Sequence, residues 1–75
     1  MNNNTIMLVD PMQTCWKYII VRAGQCLAGD AKDIKIIRSI QKDHHVEDVF
    51  IDQGFRTAEV KSAAEKYGWT LTKGL

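Results

Sequence analysis

Three groups of side chains in this sequence have types and spacings that can do chemistry. They are a thiol at Cys26, a run of imidazoles and carboxylates at His44, His45, Asp48 and Asp52, and four cations at Lys32, Lys35, Arg38 and Lys42. Cys26 follows a β-prone stretch and precedes a predicted helix. Unpaired amides and the dipole at a helix N-terminus lower a thiol's pKa, which makes Cys26 a candidate reactive thiolate. The competing reading is a small buried hydrophobe, the common environment of a free cysteine. His44, His45, Asp48 and Asp52 are metal-ligand types, but adjacent histidines point in different directions and no two-histidine helical spacing is present. They read as a solvated helix end, so no metal and no cofactor is expected. Lys32, Lys35, Arg38 and Lys42 share one side of the same predicted helix. Such a stripe suits an acidic protein face or a phosphate backbone, and it is also what an ordinary solvated helix face looks like. Asp33 projects toward the apolar side at the helix start, where it can bond to free amides.

The elements that must position these groups follow from pattern. Val46 to Trp69 is the stretch around which the rest packs. Val49, Phe50 and Ile51 form a β-prone run, and Asp52-Gln53-Gly54 supplies a turn. Arg56 to Tyr67 then repeats apolar residues at Val60, Ala63, Ala64 and Tyr67, the spacing of one helix face, with Thr57 or a neighbour as its cap. Gly68 sits where a left-handed residue ends a helix, and Trp69 can make the accompanying apolar contact. Thr70 to Lys73 reads as an edge strand. Upstream, Thr5 to Val9 is a short apolar run closed by Asp10-Pro11, a turn signal, and residues 1–15 read as an N-terminal arm or peripheral strand. Trp16 to Ala23 reads as a central strand, and Gly24 and Gly29 bracket a loop or strand end that contains Cys26. A helix follows over residues 31–43, capped by Asp30, with Ile36, Ile37 and Ile40 on one side and Ile34 at its edge. The sum is β-α-β-α-β, with room for an extra N-terminal strand. This is an α/β two-layer sandwich with both helices on one face of a small sheet.

Two resemblances attach to these residues. The order Gly24-Gln25-Cys26, helix, Val49-Phe50-Ile51-Asp52, helix, Gly68-Trp69-Thr70-Leu71 is similar to the TusA-like sulfur-carrier family over residues 24–72. That resemblance implies a two-layer sandwich and a persulfide carried on Cys26 at the start of the first helix. The family's Cys-Pro-x-Pro motif is absent, because Cys26 is followed by Leu27-Ala28-Gly29. Asp33, followed by Asp52-Gln53-Gly54-Phe55, resembles the region around the second catalytic aspartate of insertion-sequence DDE transposases. Two-metal chemistry there needs several converging carboxylates. The chain is far shorter than such a catalytic domain, so this resemblance implies a remnant without activity.

Totals set the outer limits. Seventy-five residues make a single domain near the lower limit for a self-sufficient core. Ten basic against nine acidic side chains give no global pull toward nucleic acid or membrane. No basic n-region or long apolar run marks a signal or a bilayer span, so a cytoplasmic protein with reduced thiols is expected. With no complete catalytic constellation, the expected function is a small non-enzymatic interaction module. It would dock on a larger partner protein with an acidic surface, as a phage or mobile-element accessory protein or inhibitor would, with a homodimer as a further expected assembly. The sulfur carrier using Cys26 is the alternative. Nucleic acid is a weaker candidate partner, and membrane is not one.

Overall fold

The computed structural model describes residues 4–73. They form seven elements, β1 (Ile6–Pro11), β2 (Trp16–Arg22), β3 (Gln25–Ala31), α1 (Ile34–Asp43), β4 (Asp48–Asp52), α2 (Thr57–Tyr67) and β5 (Thr70–Thr72). The strands make one mixed sheet in the order β3-β2-β1-β4-β5. β1 pairs antiparallel with β2 and β2 antiparallel with β3, whereas β1–β4 and β4–β5 are parallel. Only β2 therefore runs against the others.

The α/β class expected from the pattern holds, but the order β-α-β-α-β does not. Three strands precede the first helix. The stretch around Cys26, expected to be a loop or strand end, is a full strand, β3, and the run expected to be an arm or peripheral strand is β1, the middle strand of five. Both differences have local causes. Ala23 and Gly24 take positive φ, 40° and 82°, as a two-residue hairpin turn requires. That turn folds Gln25–Ala31 back onto β2 although glycine, alanine and aspartate are poor strand formers, because ladder pairing outweighs intrinsic preference. Gly29 is not a loop marker. It lies opposite Tyr18, and a Cβ there would fall 2.6 Å from the tyrosine hydroxyl.

Period-two alternation decides the faces. Met7, Val9 and Pro11 of β1, Trp16 and Ile20 of β2, and Val49 and Ile51 of β4 are buried. All but Pro11 form one cluster with Ile37 of α1 and with Val60, Ala63 and Ala64 of α2, so both helices lie on this face. The alternate residues Ile6, Leu8, Ile19, Val21 and Phe50 lie on the other face, which no helix among the described residues covers, and are half-buried.

The first helix differs from its pattern in start and rotation. Its cap is Asp33 rather than Asp30. Asp33 Oδ1 accepts from the Lys35 amide at 2.9 Å, while Asp30 belongs to β3. Ile36, placed by period on the core side, is 45% exposed, and Gln41 is buried instead. Gln41 Oε1 accepts from Trp69 Nε1 and from Arg38 Nη1, each at 2.9 Å, and its Nε2 donates to the Val46 carbonyl. A glutamine satisfied at both ends can face a core. α2 begins at a left-handed Arg56 that makes no side-chain capping bond, and Thr57 Oγ1 instead donates to the Gln53 carbonyl. Gly68 takes the left-handed conformation expected of it (φ 73°), and the Trp69 amide donates back to Ala64 at 2.9 Å. No helix among the described residues is long and apolar enough to cross a membrane.

Candidate functional site

Four of the five strands point the same way, so their carboxyl ends gather at one edge of the sheet. In the parallel pair β1–β4 the register runs Met7 with Val49, Leu8 with Phe50 and Val9 with Ile51. The next residues are Asp10 and Asp52. Val9 and Ile51 face the helices, so alternation turns both carboxylates to the uncovered face, on strands about 4.8 Å apart. Asp10 is exposed and Asp52 is half-buried.

The same register extends the arrangement across the whole sheet. Asp30 pairs with Lys17, Lys17 with Asp10, and Asp52 with Thr72. The result is a polar row Asp30–Lys17–Asp10–Asp52–Thr72 along the carboxyl-end edge. Behind it runs the band Ala28–Ile19–Leu8–Phe50–Thr70, apolar except at its β5 end. A groove of ≈ 210 Å³ lined by Leu8, Asp10, Lys17, Tyr18 and Ile19 lies where row and band meet.

The loops leaving β1 and β4 frame the row. Asp52 Oδ1 accepts from the Gly54 amide at 2.9 Å, and the Gln53 amide donates to the Thr72 carbonyl at 2.9 Å. Arg56 joins the two loops. Its Nη1 donates to the Met12 carbonyl, its Nη2 pairs with Glu59 at 2.9 Å, and its guanidinium lies 4.3 Å from the centroid of the buried Trp16 ring. Thr72 Oγ1 and Trp16 Nε1 are buried without a hydrogen-bond partner among the described residues.

Of the residues singled out by sequence for chemistry, Asp52 alone belongs to this row, while Asp10 and Asp30, read there as a turn and a helix cap, also stand in it. Asp48 and Asp52 sit at opposite ends of β4, roughly 13 Å apart at about 3.3 Å per residue. His44 and His45 precede that strand, so these four residues do not converge, and no group of three His, Cys, Asp or Glu among the described residues is placed to hold a metal ion. Asp33 caps α1 and is not part of the row. Cys26 is exposed and free but lies within β3 beside the hairpin turn, eight residues before α1 begins. The helix-dipole argument for its reactivity therefore has no geometric basis.

The cationic stripe is divided. Lys35 and Lys42 are exposed on α1 and Lys32 precedes the helix. Arg38 turns toward α2, bonded to Gln41 and 5.1 Å from the centroid of Tyr67, where Lys66 also approaches at 5.5 Å.

Asp10 was missed because Asp10-Pro11 reads as a turn. The available signal was that both TIMLVD and DVFID are apolar strands closed by aspartate. No protein-family model matches the chain, and no curated protein matches it significantly.

Proposed function

We propose that Asp10 and Asp52 form the divalent-cation end of a phosphodiester-binding site. One observation carries the reading. Two carboxylates stand side by side on one open face, at the carboxyl ends of adjacent parallel strands. Ligands of open α/β sheets bind just outside those ends.

Two carboxylates are a sufficient protein contribution for Mg²⁺, which is commonly held by one or two of them together with substrate phosphate oxygens and water. The orphaned Thr72 hydroxyl, opposite Asp52 in register, is a further oxygen fit for such a ligand. A bound divalent cation would neutralise charge on a phosphoryl oxygen. The resemblance to DDE transposases noted around Asp52 supports the reading at that residue alone, since Asp33, the other aspartate of that resemblance, caps α1. We assign binding rather than turnover to these residues, because the described residues place no third carboxylate, imidazole or thiol beside them.

Paramagnetic Mn²⁺ tests the site. Amide signals of residues 9–11 and 52–54 are expected to broaden first at sub-stoichiometric Mn²⁺, and Asp10→Asn with Asp52→Asn to abolish the effect. Broadening led instead by Asp33, Asp43 or Asp48, and unchanged in the double variant, would refute the reading.

The uncovered face favours a second, compatible reading, docking on a larger protein partner. Ile6, Leu8, Ile19, Val21 and Phe50 form a continuous apolar surface of the kind that interfaces bury. The cations Lys32, Lys35, Arg38 and Lys42 belong to the helix layer, not to this face. Docking through the face predicts that Leu8→Glu abolishes partner capture while Lys35→Glu with Lys42→Glu does not, and the reverse result assigns docking to the helices.

A further inference from the structure

The two loops that follow Asp10 and Asp52 each present an apolar side chain to solvent, Met12 (37% exposed) and Phe55 (47% exposed). Exposure of a phenylalanine on a mobile loop would mean little, but here the residues on both sides of Phe55 are held. The Gln53 amide is bonded to the Thr72 carbonyl, the Gly54 amide to Asp52 and the Thr57 hydroxyl back to Gln53. Arg56 is held by Glu59, the Met12 carbonyl and the Trp16 ring. The fold thus spends six contacts to fix a segment whose one aromatic ring stays half outside, forgoing burial that stabilises a phenylalanine by about 1 kcal/mol or more. Phe55 is three positions after Asp52, so its Cα lies within about 11 Å of that carboxylate's own Cα. The Arg56–Met12 bond brings the β1 loop alongside, so Met12 and Phe55 sit on neighbouring loops at the carboxyl-end edge of the sheet.

A fixed, half-exposed ring beside a cation-binding carboxylate pair suits a ligand with an anionic backbone and a flat apolar face. We propose that Phe55 is a stacking platform for an unpaired base, and that the ligand of this site is a single-stranded polynucleotide. The inference rests on the carboxylate reading above for the position of the phosphate, but its own evidence is the loop. Bases of an intact duplex are stacked on one another and offer no free face to a loop-borne ring, whereas an unpaired base offers one whatever its identity. Lys17, between Asp30 and Asp10 in the row, supplies a cation for a flanking phosphate.

Fluorescence anisotropy with a labelled single-stranded oligonucleotide and its duplex, both in Ca²⁺, tests the platform. Phe55→Ala is expected to weaken single-strand binding about 5- to 100-fold, the loss of one stacked base, and to change duplex binding less than about 2-fold. Phe55→Trp is expected to retain single-strand affinity, and 2-aminopurine in the strand to be quenched by the wild type and not by Phe55→Ala. No single-strand binding by the wild type, or equal losses on strand and duplex, overturns the proposal. Binding that needs Ca²⁺ and Asp10 but is indifferent to Phe55 also overturns it, leaving the carboxylates in place. Binding that needs Phe55 but neither the cation nor the aspartates supports the platform and removes the carboxylate reading instead.

Discussion

At the scale of single residues, Gln41 does what its neighbours' hydrophobicity suggested for Ile36. It bridges Trp69 Nε1, the Val46 carbonyl and Arg38 from a position 7% exposed, so it ties α1 both to the entry of β4 and to the ring at the end of α2. Truncation would leave a buried indole N–H unpaired, a loss of about 1–3 kcal/mol. Gln41→Ala is therefore expected to lower the denaturation midpoint clearly and Ile36→Ala only slightly, and the opposite ranking in urea titrations would show that α1 is rotated differently. The cysteines make a second expectation. Cys15 precedes Trp16, which pairs with Ala31, while Cys26 pairs with Val21. Six strand positions put the two roughly 20 Å apart at about 3.3 Å each, far beyond the reach of a disulfide. Non-reducing mass spectrometry should find two free thiols, with Cys26, the exposed one, alkylated faster than half-buried Cys15.

At the scale of elements, termini matter more than interiors. α2 starts without a side-chain cap and relies on its other end, where Gly68 at φ 73° lets the Trp69 amide reach Ala64 and delivers Trp69 into the core. A β-carbon in that conformation costs about 1–2 kcal/mol. Gly68→Ala should reduce stability by that amount, measured by thermal melting, with α2 and β5 losing amide-exchange protection first. A substitution without effect would mean that the chain leaves α2 by another route. The hairpin turn at Ala23-Gly24 governs more than itself. By creating β3 it makes β2 an interior strand and moves Cys26 away from any helix end.

At the scale of the whole molecule, one face of the sheet is covered by helices and the other carries both the polar row and an apolar band. A ligand that binds only the folded chain stabilises it by mass action. At a free divalent-cation concentration ten times its Kd the gain is about 1.4 kcal/mol, which for a domain this small shifts Tm by on the order of 5–10 °C. Mg²⁺ or Mn²⁺ should raise Tm in the wild type and leave Asp10→Asn unchanged. An equal shift in both would place the cation elsewhere.

Sequence alone determined the α/β class, the existence of both helices, Gly68 as the end of the second, and β4 with Asp52 at its close. These features are written in near-neighbour spacing, and chain-local physics reads them. It also marked Asp52 as a residue of interest. What only the tertiary structure decided was that Thr5–Val9 is central, that Gln25–Ala31 is a strand, that α1 turns Gln41 inward, and that Asp10 stands beside Asp52. Those aspartates are forty-two positions apart along the chain, and no local pattern records which strands will become neighbours. Their meeting depends on β1 being paired by β2 on one side and β4 on the other, and strand pairing is settled by the fold as a whole.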